Sequence, residues 1–180
     1  RRPGSCGLPL EELRIVDHHG RDVPRGTVGE IVLRGPHVMR GYWNDPDATA
    51  RALRGGWLHT GDLARQDDDG FVYIAGRASD MIIRGGENVY PREIEEVLHA
   101  HPDVAEAAVI GRPDRRYGEV AVAYVAPHPG RGIDEDTVRT WCAARLADYK
   151  RPVRITVLPE LPKGPTGKIL KAPLRTRSDP

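Results

Sequence analysis

Twenty glycines and sixteen prolines punctuate this 180-residue chain. Proline lacks the amide donor that helix interiors and central strands need, and glycine lets the backbone turn where other residues resist. A chain interrupted this often has to be built from many short elements joined by turns. Its length allows one large domain or two small ones, with roughly 70% of the unfolded surface buried on folding. The apolar share of 39% lies a little below the globular norm but well above that of disordered chains.

Residues 8 to 75 read as strands and turns. Leu13–Val16 and Glu30–Arg34 are strand candidates, the second stopped by Gly35-Pro36, and Phe71–Ala75 is a third after the Asp67–Gly70 turn. One helix interrupts them, with Asn44 or Asp45 as its cap, Pro46 in its first turn and Ala48 to Leu53 continuing it. This pattern predicts a small β-barrel-like subdomain over residues 1 to 76. The character changes near Gly76. Met81–Ile83, Val104–Ile110, Glu119–Ala126 and Arg154–Leu158 read as strands. Pro91–Ala100 and Asp134–Leu146 read as helices, the second with Val138, Trp141, Cys142 and Leu146 on one face. Residues 77 to 180 thus predict a compact α+β unit, and the chain as a whole belongs to the α+β class. Arg175 to Pro180 are expected to fray.

Several function classes are disfavoured. A net charge of +1 lacks the dense basic face of a nucleic-acid binder. No apolar run approaches membrane-span length, and no stretch reads as a signal peptide. Cys6 and Cys142 are too few for a disulfide framework, so a reducing, cytoplasmic setting is expected, with Cys142 a small core residue. The pairs His18-His19 and His99/His101 lack partners at ligand spacing, so no metal site is predicted. The Arg1-Arg2-Pro3-Gly4 start, without methionine, reads as a piece of a larger polypeptide.

Three runs ask for the same kind of ligand. Gly56-Trp57-Leu58-His59-Thr60-Gly61-Asp62 offers a carboxylate whose two oxygens suit the vicinal hydroxyls of a ribose. Such hydrogen bonds to a charged group are worth roughly 1.5–3 kcal/mol each when shielded from water. Asp62 can equally cap a turn, and His59 reads as structural. Gly76-Arg77 leads into Gly85-Gly86, joining a guanidinium to a glycine loop that a ligand could approach closely. Arg77 can instead form a surface ion pair with Asp80 or a neighbour, and Gly85-Gly86 can be a plain turn. Pro162-Lys163-Gly164-Pro165-Thr166-Gly167-Lys168 places one of only four lysines at the end of a glycine-proline loop. It lacks the Walker spacing of a P-loop. Carboxylate for sugar and cations for phosphate together suit a nucleotide.

In this order the runs closely resemble the adenylate-forming (AMP-binding) enzymes, and within them the acyl-CoA synthetases. Gly56–Asp62 is similar to the family's ribose-binding run. Gly76–Leu98 is similar to its interdomain hinge and following loop, and Leu146–Pro152 with Pro162–Lys171 to its closing signature. The likeness extends from about Gly4 to Leu174, and the Gly85–Glu95 wording looks more like fatty-acyl or aryl CoA ligases than peptide-synthetase modules.

The resemblance implies a fold, a chemistry and a set of roles. Residues 1–76 would end the large domain, and 77–180 would form a mobile lid. A carboxylic acid would be activated with ATP and Mg2+ as acyl-AMP, then passed to coenzyme A. Lys168 would be catalytic. Asp62 and Arg77 would bind the ribose, and Gly85 and Gly86 would face the pantetheine arm. Ser79 would be the hinge, where the family usually has aspartate or lysine. The phosphate-binding loop, the Mg2+ ligands and the acyl pocket are expected upstream, in the N-terminal domain of the same enzyme, so this piece alone is expected to be inactive. The alternatives are a carrier-protein or oxygen acceptor, or an inert truncated module that binds a partner.

Overall fold

The computed structural model describes residues 2–177. The chain divides after Ser79 into two compact units. The first contains β1 (Glu12–Val16), β2 (Gly29–Arg34), α1 (Pro46–Ala52), β3 (Leu53–Arg54), β4 (Trp57–Gln66) and β5 (Val72–Arg77). Its sheet is antiparallel throughout and curls into a half-barrel. The ten-residue β4 is its hub: β2 lies along one edge, and β3 then β5 along the other. Ile15 and Ile31 stand opposite each other and, with Ala64 and Val72, make a small core. β-branched pairs across strands are the stabilising unit of such a sheet. At the head of α1 the cap is Asp45, whose side chain accepts from the Ala48 amide at 2.8 Å, and Pro46 follows it. Asn44, the other cap candidate, instead takes the left-handed turn before it, at φ 52°.

β4 was not legible as a strand. Gly55, Gly56 and Gly61 make Gly56–Asp62 read as a turn, yet residues 57–66 run continuously, with Gly61 absorbing a φ of 71° beside a register shift at Leu63/Ala64. A bulge of this kind re-aims side chains without ending the strand.

The second unit contains β6 (Ile82–Arg84), β7 (Glu87–Val89), α2 (Pro91–His99), β8 (Val104–Asp114), β9 (Gly118–Pro127), α3 (Glu135–Ala143), β10 (Arg154–Val157) and α4 (Lys171–Thr176). β8 and β9 form a long hairpin, β10 runs parallel to β9, and β6 meets β9 at Arg84↔Gly118. The hairpin is buried on both faces. Ala107 and Val109 of β8, with Ala121, Ala123 and Val125 of β9, join Ile94 and Leu98 of α2 and Val138 and Cys142 of α3 in one cluster. The alternate residues Ala108, Ile110, Val122, Tyr124 and Ala126 join Leu158, Leu161 and Leu174 in the other. Two-sided burial explains why these strands read as continuous apolar runs.

Two expectations are corrected in this unit, and one is decided between its alternatives. Gly85-Gly86, a glycine loop or a plain turn in the sequence, is a turn. It is the two-residue turn of the β6–β7 hairpin, both glycines at positive φ (60° and 90°), the geometry such turns demand. The second helix spans only 135–143, capped by Asp134, with Leu146 buried beyond its end. Residues 171–176 form α4, which covers the second face of the sheet through Leu174, whereas Arg175 and Thr176 had been expected to fray; residues 178–180 of that expectation lie outside the described residues. Cys142 is a core residue as expected, and burial pushes its thiol up.

Leu98→Ala is expected to destabilise the protein by about 2–5 kcal/mol, because it opens a cavity under the hairpin. Leu10→Ala, at a side chain that is 98% exposed, is expected to stay within about 0.5 kcal/mol of the parent in the same urea titration.

Candidate nucleotide and acyl-transfer residues

Asp62 and Arg77 are cross-strand partners in β4 and β5. Arg77 Nε lies 2.8 Å from Asp62 Oδ1, and its Nη1 donates to the Thr60 carbonyl at 3.1 Å. Of the ion-pair alternatives for Arg77, Asp80 or a neighbour, the structure shows the neighbour across the strand, Asp62. The strand around Asp62 is held from behind. The Gly61 amide donates to Glu30 Oε1 at 3.0 Å, and His59 Nδ1 lies 2.8 Å from Glu30 Oε2. The Thr60 hydroxyl donates to the Ile31 carbonyl at 2.8 Å and accepts from the Asp62 amide at 3.0 Å. His59 is structural, as read. Glu30 was missed: it sits far away in sequence and reads as an ordinary strand residue. Only the β2–β4 pairing brings it behind the bulge. The result is a half-exposed carboxylate–guanidinium pair on a stiff strand. The carboxylate can accept from sugar hydroxyls, and the guanidinium can donate to hydroxyl or phosphate oxygen.

In the second unit the Gly85-Gly86 turn is exposed and docked from below. The Gly85 amide donates to the Tyr117 carbonyl at 2.8 Å. Arg84 stacks over the Tyr117 ring at 5.0 Å and donates to the Tyr149 carbonyl at 2.9 Å. A turn this well anchored offers a fixed, side-chain-free surface. Ser79 is exposed in the 3-10 turn 78–80, at the boundary between the units.

Lys168 is exposed and makes no ion pair among the described residues. Its loop is closed by its own backbone. Gly164 N donates to Lys168 O at 2.8 Å, Gly167 N to Gly164 O at 2.9 Å, and Leu170 N to Pro162 O at 2.8 Å. Gly167, at φ 78°, supplies the left-handed step just before the lysine. Below the loop, Leu161 and Ile169 pack on the second core cluster. Glu106 of β8 pairs with Lys163 and accepts from the Leu161 amide at 3.1 Å. The Lys163 ammonium holds the Glu106 carboxyl below the ordinary carboxylate range, against the opposing effect of its partial burial, and the Leu161 amide adds to the lowering. The loop is therefore held at its base, with an exposed ammonium at its end.

The structure thus brings Asp62 and Arg77 together in the first unit; in the second, the Gly85-Gly86 turn lies by the Gly118 end of the β8–β9 hairpin, and the Lys168 loop is tied to Glu106 toward its other end. Among the described residues no three of His, Cys, Asp and Glu cluster as a metal site requires. Among the described residues no helix is long and apolar enough to cross a membrane.

Because the Glu106 value is lowered on folding, the pair stabilises the protein above the ordinary carboxylate range and is lost as pH falls through the lowered folded value. Glu106→Gln is therefore expected to cost stability at neutral pH and progressively less in acid. Chemical denaturation at neutral and at acid pH checks this; a cost independent of pH would refute it.

The family model described as AMP-binding enzyme C-terminal domain matches residues 93–168, and that described as AMP-binding enzyme matches residues 1–43. A feruloyl-CoA synthase from Amycolatopsis sp is 48% identical over 176 residues, covering 97% of this chain and 36% of its own length. A fatty acid–[acyl-carrier-protein] ligase, ScoC, from Streptomyces coeruleorubidus is 46% identical over 175 residues, covering 96% of this chain and 34% of its own. The crystal structure of ATP-bound MatB from Rhodopseudomonas palustris matches with a TM-score of 0.90 and 40% identity, over 97% of this chain and 36% of that one. The chain thus spans only 34–36% of the length of these relatives. The chain belongs to the AMP-binding, adenylate-forming enzyme family and aligns with the C-terminal part of relatives that include CoA ligases.

Proposed function

We propose that the polypeptide carrying this chain is an ATP-dependent acid–thiol ligase that activates an aryl or fatty acid and transfers it to coenzyme A. The observation that carries this reading is Lys168: an exposed, unpaired ammonium on a glycine loop that is clamped at its base. The 48% identity to a feruloyl-CoA synthase supports the same reading. In the first step a carboxylate oxygen attacks the α-phosphorus of ATP, and the bond to the β-phosphate breaks, releasing pyrophosphate. Negative charge gathers on the bridging and non-bridging oxygens, and a lysine ammonium there stabilises it. In the second step the coenzyme A sulfur attacks the acyl carbon and AMP leaves.

Asp62 and Arg77 hold the ribose through both steps in this reading. The bare Gly85-Gly86 turn lets the pantetheine arm pass close to the backbone. Residues 1–76 complete a large nucleotide-binding domain, and 77–180 act as a lid pivoting at Ser79. Such a swing lets the Lys168 ammonium serve the first step and vacate the site for the thiol. Mg2+ would accompany ATP, and among the described residues no cluster of His, Cys, Asp or Glu is placed to hold it. The free thiols Cys6 and Cys142 agree with a reducing cytoplasm.

A second reading keeps the adenylate and passes the acyl group to a carrier-protein thiol. It is favoured by the 46% identity to ScoC. Turnover with coenzyme A alone, against turnover only with a phosphopantetheinyl carrier, separates the two.

In the complete polypeptide Lys168→Ala is expected to slow adenylate formation, measured by pyrophosphate exchange, about 10²–10³-fold. It should spare thioester formation from preformed acyl-adenylate; an equal loss in both half-reactions would overturn the assigned role. Asp62→Asn is expected to raise KM for ATP about tenfold or more, the loss of one charge-assisted hydrogen bond. The 180-residue chain alone is expected to show no pyrophosphate exchange.

A further inference from the structure

Lys171 lies three residues beyond Lys168, at the first position of α4. A cation there opposes the helix dipole, which favours negative charge at this end, and α4 has no side-chain cap to compensate. The local rule is broken, so something else holds the lysine in place. Lys171 Nζ lies 2.7 Å from Glu95 Oε1 and 3.8 Å from Asp80 Oδ2. Its side chain is 19% exposed, and those of Glu95 and Asp80 are 19% and 22% exposed, so this is a largely shielded cluster rather than a surface pair. Arg175, one turn further along α4, donates to Asp80 Oδ1 at 2.6 Å. Glu95 Oε1 also accepts from the Val109 amide of β8 at 2.9 Å. Two cations from α4 therefore meet two carboxylates, one from α2 and one from the first residue of the second unit.

The placement of these four groups matters more than their number. Asp80 follows Ser79 directly. Lys171 begins where the Lys168 loop ends. The entry to that loop is held separately, by Lys163 on Glu106 and by the buried Leu161. The exit is tied back to the loop's own entry by the Leu170 amide on the Pro162 carbonyl and by Ile169 on the core, and Lys171 is its ionic link to α2 and to Asp80. We infer that Lys171 is a positioning residue for Lys168: through Glu95 and Asp80 it fixes the exit of the lysine loop to the chain segment immediately after the pivot. The inference rests on the ligase reading above. Its content is that the loop and the segment after Ser79 move as one piece, so the ammonium arrives at the phosphate in one geometry. Loss of Lys171 removes the exit's tie to α2 and Asp80, leaving the Leu170 amide, Ile169 and Leu174 to hold it, and leaves Glu95 with the Val109 amide as its donor. The ammonium then samples a wider volume, and misplacement by about an ångström is enough to slow a positioned reaction strongly.

The test uses the complete polypeptide, with the two half-reactions measured separately. Lys171→Met is expected to lower kcat for adenylate formation about 10- to 100-fold, with KM for ATP and the thioester step within about threefold of the parent. Lys171→Arg, which keeps the charge, is expected to recover most of the lost rate. Adenylation by Lys171→Met at the parental rate overturns the inference. So does an equal loss in both half-reactions, or no rescue by arginine. If Lys171→Met proves unfolded by its melting curve, Asp80→Asn carries the same test, because it leaves Lys171 its Glu95 partner; it should show the same selective loss, smaller in size, and adenylation at the parental rate overturns the inference. Lys168→Ala run alongside distinguishes the two levels. A selective loss there with Lys171→Met at parental rates removes the positioning role alone, whereas parental adenylation by Lys168→Ala brings down the ligase reading itself.

Discussion

Burial of the β8–β9 hairpin on both faces is the constraint from which the second unit follows. A strand covered on one side only can stay alternately polar, but these two strands carry unbroken apolar runs, 107–110 and 120–126. Each face needs its own cover. One is closed by α2 and α3 through Ile94, Leu98, Val138 and Cys142. The other is closed by the chain after β10 and by α4 through Leu158, Leu161 and Leu174. A helix of six residues is far too short to persist alone in water. Burial of a leucine side chain contributes about 1.5–3 kcal/mol, enough to hold so short a helix once the sheet supplies the surface. The lysine loop is thus a consequence of covering the second face, because it is the connection that the covering chain has to make.

The candidate residues share a design in which polar groups at the working end are fixed by polar groups behind them. Glu30 holds the Gly61 amide below Asp62, and Glu106 holds Lys163 and the Leu161 amide below the lysine loop. Arg84 holds the Gly85-Gly86 turn against the carbonyl at Tyr149. In each case the exposed group is left to face solvent or ligand, while its support is partly shielded. Shielding raises the value of each support, because a hydrogen bond to a charged group is worth more away from water.

The glycines divide by what their backbone has to do. Gly61, Gly85, Gly86 and Gly167 all adopt positive φ at the three places where a candidate side chain or bare backbone is presented. Three of these were legible as turns. Gly61 was not: it sits inside a strand, and a glycine that permits a bulge looks the same in sequence as one that ends a strand. α4 escaped for a related reason, since its helix depends on Leu174 finding a surface made by residues sixty positions earlier, and nothing local announces it.

The amino-acid sequence by itself determined the α+β class, most strands, both longer helices, a cap at Asn44 or Asp45, and the runs that carry the family resemblance. These are matters of local periodicity, capping chemistry and residue type, all written within a few positions of one another. Only the tertiary structure decided that Arg77 pairs with Asp62 rather than Asp80, that Glu30 and Glu106 stand behind the motifs, and that Lys171 meets Glu95 and Asp80. Those contacts join residues between 15 and 91 positions apart, and which partner a charge takes depends on strand register and sheet coverage, which no short window of sequence contains.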